Sequence, residues 1–221
     1  MSGTSRRSVG RAVCIGVEAD EDARLFASIA IQRGFMSLSL LLGDHATRAA
    51  VRAKIDEMAA ASEPGDLALL TFSGHGGHTK LPVRDGAPAS VGLWQLYDGS
   101  LNDEQLKADL GRFRPGVRVL VVSDNCNGGI PSLRTSQLSD SLSASVLVIA
   151  ACQPEKYADG TGLPGHFAQV LNRTWNNGEF GGAYSQFHEE LWRNMPDYQK
   201  PDFYRVGRPD AAFEAQRPFV I

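Results

Sequence analysis

The chain has 221 residues, 43% of them hydrophobic, which is enough for one sizeable core in a single domain. Its 22 basic and 25 acidic residues leave a net charge of −3, so there is no basic excess to neutralise phosphates, and nucleic acid is not expected as a partner. No apolar run approaches the roughly 20 residues of a membrane helix, so no membrane span is expected.

Residues 1–10, with Arg6 and Arg7, read as a flexible tail. The apolar run behind them, "VCIGV", is too short for a signal-peptide core and is closed by Glu18, Asp20, Glu21 and Asp22, so a cytoplasmic location is expected. The cysteines at 14, 126 and 152 form no C-x-x-C pair, so neither a disulfide framework nor a structural zinc site is indicated. Cys14 and Cys152 sit within apolar runs and are expected as buried thiols.

A first strand is predicted over 12–17, followed by a helix carrying Phe26, Ile29 and Ala30, with Gly34 as its stop. "SLSLLL" (37–42) is a second strand. Asp44 is the expected cap of the next helix, in which Val51, Ile55 and Met58 share a face. "LALLTF" (67–72) is a third strand. A polar stretch with Gly and Pro, 76–100, reads as a functional or inserted loop. Asn102 with Gln105 has the spacing of a capping box, with Leu101 and Leu106 as its staple. "VRVLVVS" (117–123) and "SVLVIAA" (145–151) are further strands, with a Ser-rich loop at 130–144 between them. Helices near 165–176 and 183–194 and a last strand at 203–206 complete the chain. Strands alternating with helices define an α/β protein with a mostly parallel sheet and helices on both faces.

Two strand ends share a composition. The third strand runs into Ser73-Gly74-His75-Gly76-Gly77, the fourth into Asp124-Asn125-Cys126-Asn127-Gly128-Gly129. Ligands of open α/β sheets bind outside the carboxyl ends of the strands. A cysteine there supplies a thiolate, and a histidine moves protons to and from the substrate. The flanking glycines leave backbone N–H groups accessible to a developing oxyanion. The bland alternative is a histidine in a turn and a cysteine as apolar filler. "HGGH" (75–78) lacks the glutamate of a zinc-peptidase helix.

"DLALLTFSGHGG" and "VRVLVVSDNCNGG" resemble the His and Cys motifs of the caspase-like cysteine peptidases, closest to the metacaspases and bacterial orthocaspases. The first strand and helix, the second helix and "VLVIAACQPEKYADG" are also similar, so the resemblance covers most of 11–177. It implies a three-layer fold whose six-stranded sheet has an order near 2-1-3-4-5-6. It also implies one catalytic domain over 11–221: a large-subunit-like part to about 130, the loop 130–144, and a small-subunit-like part from about 145. Cys126 would be the nucleophile and His75 the proton donor and acceptor, with the N–H groups of Gly76 and Cys126 as the oxyanion hole. Asp22, Ser73 and Asp124 match positions lining an acidic pocket for the residue before the scissile bond. Paired carboxylates favour Arg or Lys, so protein or peptide substrates cut after a basic residue are expected. Arg134, in the loop after the nucleophile, is the candidate for self-cleavage.

No cofactor is required by this reading. Many metacaspases use calcium; here Asp98 and Asp103 are the candidate ligands, but Asn102 and Leu133 stand where the family supplies further carboxylates. A hard cation wants more of them, and calcium independence or weak binding is expected. A monomer is the favoured state. The rival reading is a catalytically silent caspase-like module that binds or regulates; retention of His75, Cys126 and Asp124 argues against it.

Overall fold

The computed structural model describes residues 6–81, 89–125, 142–152 and 165–221. The strands are β1 (Gly10–Gly16), β2 (Ser37–Leu42), β3 (Leu67–Ser73), β4 (Gly76–Leu81), β5 (Ala89–Leu96), β6 (Gly99–Asn102), β7 (Arg118–Asp124), β8 (Ser145–Ala150) and β9 (Asp202–Gly207). The helices are α1 (Asp20–Gln32), α2 (Arg48–Ala61), α3 (Asp103–Leu110), α4 (His166–Trp175), α5 (Tyr184–Asn194) and α6 (Ala211–Ala215).

The main sheet has six strands in the order β2-β1-β3-β7-β8-β9. Counted within that sheet, this is the expected 2-1-3-4-5-6. All neighbours run parallel except β8 and β9, which are antiparallel. Both faces are buried, so successive side chains of one strand enter different cores. Val13, Ile15, Ala68, Leu70, Phe72, Val119, Val121, Val146 and Val148 pack with α2 and α3 on one side. Ala12, Cys14, Leu67, Leu69, Leu120, Val122, Leu147 and Ile149 pack with α1, α4, α5 and α6 on the other. The continuous apolar runs of the sequence arise because neither face meets water.

Helix ends follow local chemistry. Gly34 takes φ +73° just past Arg33, where α1 stops. Asn102 and Gln105 form the expected capping box at α3. Asp44 is not the cap of α2. It lies in a 3-10 turn (Gly43–His45), and the helix starts after Thr47, whose side chain accepts from Ala50 N. A β-hydroxyl three residues before that N–H outcompetes the earlier carboxylate.

The stretch expected as a loop over 76–100 is mostly sheet. β4, β5 and β6 form a separate three-stranded antiparallel meander. Its apolar period is short and diluted by glycine, but Trp94 and Leu96 of β5 alternate inward and join the α2/α3-side core. From Arg6 on, the segment read as a tail is hydrogen-bonded: Arg6, Arg11 and the Val9 amide all donate to Asp66, in the turn before β3. Most of the Ser-rich loop 130–144 lies outside the described residues. Among the described residues, no helix is long and apolar enough to cross a membrane.

Candidate active site

Three parallel strands end together. In the register of β3 and β7, Ser73 stands opposite Asp124, and Gly16 of β1 stands opposite Ser73 on the other side. Beyond these pairs the backbone stays tied: Val17 N donates to Ser73 O at 3.0 Å, and Gly74 N to Asp124 O at 3.2 Å. Gly74 is required for this approach, since a Cβ there would stand 2.7 Å from Val17 O. Gly77 carries no such demand, its nearest neighbour to an added Cβ being Leu93 Cδ1 at 4.0 Å.

His75 lies two residues past Ser73, and Cys126 follows two residues after Asp124 in sequence. Cys126, Arg134 and Leu133 lie outside the described residues. His75 is held by backbone, its carbonyl accepting from Gln95 N at 2.9 Å, while its side chain is open to solvent. Its Nε2 is 3.0 Å from Glu18 Oε2. Gly76, the other expected oxyanion-hole position, opens β4.

The residue before the cysteine is fixed from several directions. Ser123 Oγ donates to Asn125 Oδ1 at 2.9 Å and accepts from Trp94 Nε1 at 2.9 Å. Trp94 stacks on Phe72 with ring centroids 4.8 Å apart. Cys152, buried like Cys14, donates its thiol to Asn125 O at 3.4 Å. The hairpin strand β5 is thereby tied to the end of β7. Burial pushes the Cys14 thiol up to about 12, partly offset by a hydrogen bond with Thr71, so it is inert.

The three expected pocket residues come together. Ser73 is fully buried, and its Oγ has no hydrogen-bond partner among the described residues. Asp124 Oδ2 is likewise enclosed and unpartnered. Burial pushes the Asp124 carboxyl up to about 8, and the nearby charge of Asp22 adds to the push. Asp22, near the start of α1, is itself raised by burial first and by Glu21 second. Among the described residues, the Asp124 carboxyl and the Ser73 hydroxyl each keep one buried oxygen without a hydrogen-bond partner.

Two features of this region went unread in the sequence. Gly165 precedes α4 with φ +79°, and a Cβ there would stand 2.8 Å from Asp22 Oδ1. Glu18, read in the sequence only as part of the acidic stretch that closes the first apolar run, reaches His75. A glycine just before a helix was the available hint for the first; nothing in the spacing pointed to the second.

The calcium candidates are engaged elsewhere. Asp98 Oδ1 accepts from Arg48 N at 2.7 Å, at the start of α2. Asp103 is buried, with Oδ2 accepting from Gly92 N at 3.0 Å. Among the described residues, no three His, Cys, Asp or Glu side chains cluster as a metal site. These residues do not fit a calcium cage.

A sheet of this order, with histidine and cysteine motifs following neighbouring parallel strands, is the architecture of the caspase domain. The caspase-domain family model matches residues 17–213, and the chain belongs to that family of cysteine peptidases. Among solved structures, it is similar to protein GSU0716 from Geobacter sulfurreducens, with 32% identity, 96% of this chain and 99% of that one covered, and a TM-score of 0.84. It shares its fold with caspase-1 from Spodoptera frugiperda, at 12% identity, 90% and 86% coverage and a TM-score of 0.55. It shares it also with drICE, at 14% identity, 91% and 89% coverage and a TM-score of 0.55. No curated protein matches the sequence.

Proposed function

We propose that the protein is a cysteine endopeptidase that cleaves after Arg or Lys, as in the metacaspase branch. The carrying observation is the enclosed group Ser73, Asp22 and Asp124 at the ends of β3, α1 and β7, with two polar atoms unpartnered and Asp124 raised to about 8. A guanidinium or ammonium entering there supplies both the donors and the charge that the pocket lacks. An aspartate side chain would meet two carboxyls and no cation.

In this reading the Cys126 thiol gives its proton to His75, and the sulfur attacks the carbonyl carbon of the basic residue. The oxyanion is held by the N–H groups of Gly76 and Cys126. The carbon–nitrogen bond then breaks, His75 delivers the proton to the leaving amine, and a thioester remains. Water, losing a proton to His75, hydrolyses the thioester; the acid departs and the proton returns to sulfur. Asn125, held by Ser123 and Cys152, would set the direction in which the chain enters Cys126. The same specificity makes Arg134 a candidate for self-cleavage.

Fluorogenic peptides with Arg, Lys or Asp before the scissile bond test the reading, wild type against Cys126→Ala. Turnover of the Arg and Lys peptides by wild type alone is expected, with and without calcium. No turnover of any peptide would favour the silent module, and turnover of the Asp peptide alone would refute the pocket. Mass spectrometry of the two purified proteins reads self-cleavage after Arg134; an intact wild-type chain that still cuts peptides would sink that step.

A further inference from the structure

The geometry points to Glu18 as the residue that orients His75, an inference that rests on the peptidase reading above. Glu18 Oε2 lies 3.0 Å from His75 Nε2. A carboxylate carries no proton to donate and repels a lone pair, so its closeness to Nε2 favours the ring proton on that nitrogen. The lone pair of the neutral ring is then on Nδ1, the nitrogen left to face the reaction. The thiol proton passes to Nδ1 and on to the leaving amine, while the Nε2 proton stays on nitrogen beside the Glu18 carboxylate. Imidazolium formed between the two transfers gains a neighbouring negative charge.

Two independent features support a role for this contact. Glu18 has φ +58°, the left-handed region that a side chain of this kind rarely adopts. Such a conformation persists where the surroundings impose it, and functional sites are where it collects. Here the surroundings are the site's own backbone: Val17 N bonds Ser73 O, and Gly74 packs on Val17 O. The loop after β1 is thus pinned to the strand end that carries His75. The ion pair itself is no reason for the strain, because both side chains are about three-quarters exposed and exposed pairs stabilise little.

Glu18→Gly and Glu18→Gln separate positioning from structure. Glycine removes both the strain and the carboxylate, so Tm is expected to rise by about 2–4 °C, while kcat on an Arg peptide falls about 10-fold with KM within about twofold. Glutamine keeps an acceptor oxygen without the charge and recovers part of the loss, to about threefold below wild type. A Glu18→Gly enzyme with wild-type kcat, beside an inactive Cys126→Ala, would overturn the role of Glu18 and leave the peptidase reading intact. Wild type inert toward every peptide would overturn both. A loss of kcat accompanied by a falling Tm in Glu18→Gly would mark a structural role and overturn the inference.

Discussion

Gly165 lies against Asp22, so close that a methyl group on Gly165 would stand 2.8 Å from Asp22 Oδ1. Gly165 therefore contributes the absence of a side chain beside the carboxylate that α1 carries. Gly165→Ala meets two penalties at once: φ is +79°, and the carboxylate must move. A loss of about 1–2 kcal/mol is expected from the backbone, with kcat/KM on an Arg peptide down about 10-fold. Gly181, with nothing within 4 Å of an added Cβ, is the control. Gly181→Ala is expected within about 0.5 kcal/mol of wild type, by denaturant titration; equal effects of the two would refute the contact.

In the proposed pocket, the charge of Asp124 would make specificity depend on pH. Its carboxyl titrates near 8 in the free protein, and only the ionised form pairs with a guanidinium. The ratio of wild-type kcat/KM to that of Asp124→Asn, on one Arg peptide, is expected to climb with pH and level off above about 8. Taking the ratio cancels other titrations. The plateau corresponds to about 1.5–3 kcal/mol, or 10- to 100-fold, for a charged hydrogen bond.

Stability should move the opposite way. A folded carboxyl near 8 against about 3.9 in the unfolded chain binds a proton on folding between these values. The free wild type therefore loses stability as pH rises from about 4 to 8 through this group. Asp124→Asn is expected to match wild type at pH 4 and to exceed it at pH 8 by on the order of 1 kcal/mol or more. Thermal melts at the two pH values measure this, and a variant that is less stable at pH 8 would contradict the enclosed carboxyl.

Asp66 behaves inversely. Burial pushes its carboxyl up, but Arg6, the Glu63 and Val9 amides and Arg11 outweigh that and hold it well below the usual carboxylate range. The stability it contributes is present above the unfolded value of about 4 and is lost as pH falls toward the folded one. Asp66→Ala strands the Val9 and Glu63 amides and the largely buried Arg11, while the half-exposed Arg6 turns to solvent, and is expected to cost about 3 kcal/mol at pH 7. The gap to wild type should narrow below pH 4. Urea titrations at pH 7 and pH 3 read both; a gap that widens in acid would reverse the sign argued here.

Trp94→Phe keeps the stack on Phe72 and removes the donor to Ser123 Oγ. About 1 kcal/mol is expected from the lost bond. Trp94→Ala also empties the core position and should cost about 3–5 kcal/mol. Denaturant midpoints of the two variants separate the contributions.

The central strands were legible because they are buried on both faces, which writes unbroken runs such as "LALLTF" and "VRVLVV" into the chain, whereas the sheet order came from the resemblance. Helix starts were legible where a capping box is complete, as at Asn102, and misread where two polar residues competed, as at Asp44 and Thr47. The β4–β6 meander hid because its inward alternation rests on few residues, chiefly Trp94 and Leu96. The pocket positions came from resemblance, and their enclosure needed the register that sets Ser73 opposite Asp124. Glu18 was invisible because its role depends on a backbone angle, and nothing in its side-chain type signals φ +58°.

The meander has a sequel for anyone who would shorten this chain. Residues 76–102 look like a surface decoration that a trimmed version might replace with a brief linker. Trp94, Leu96 and Leu101 are nevertheless bricks of the interior beneath the ends of β3 and β7. Excision would bare one face of Phe72 and unhook Ser123 in the same stroke. A minimal version of this fold must therefore keep the hairpin, or supply a substitute for its tryptophan from elsewhere.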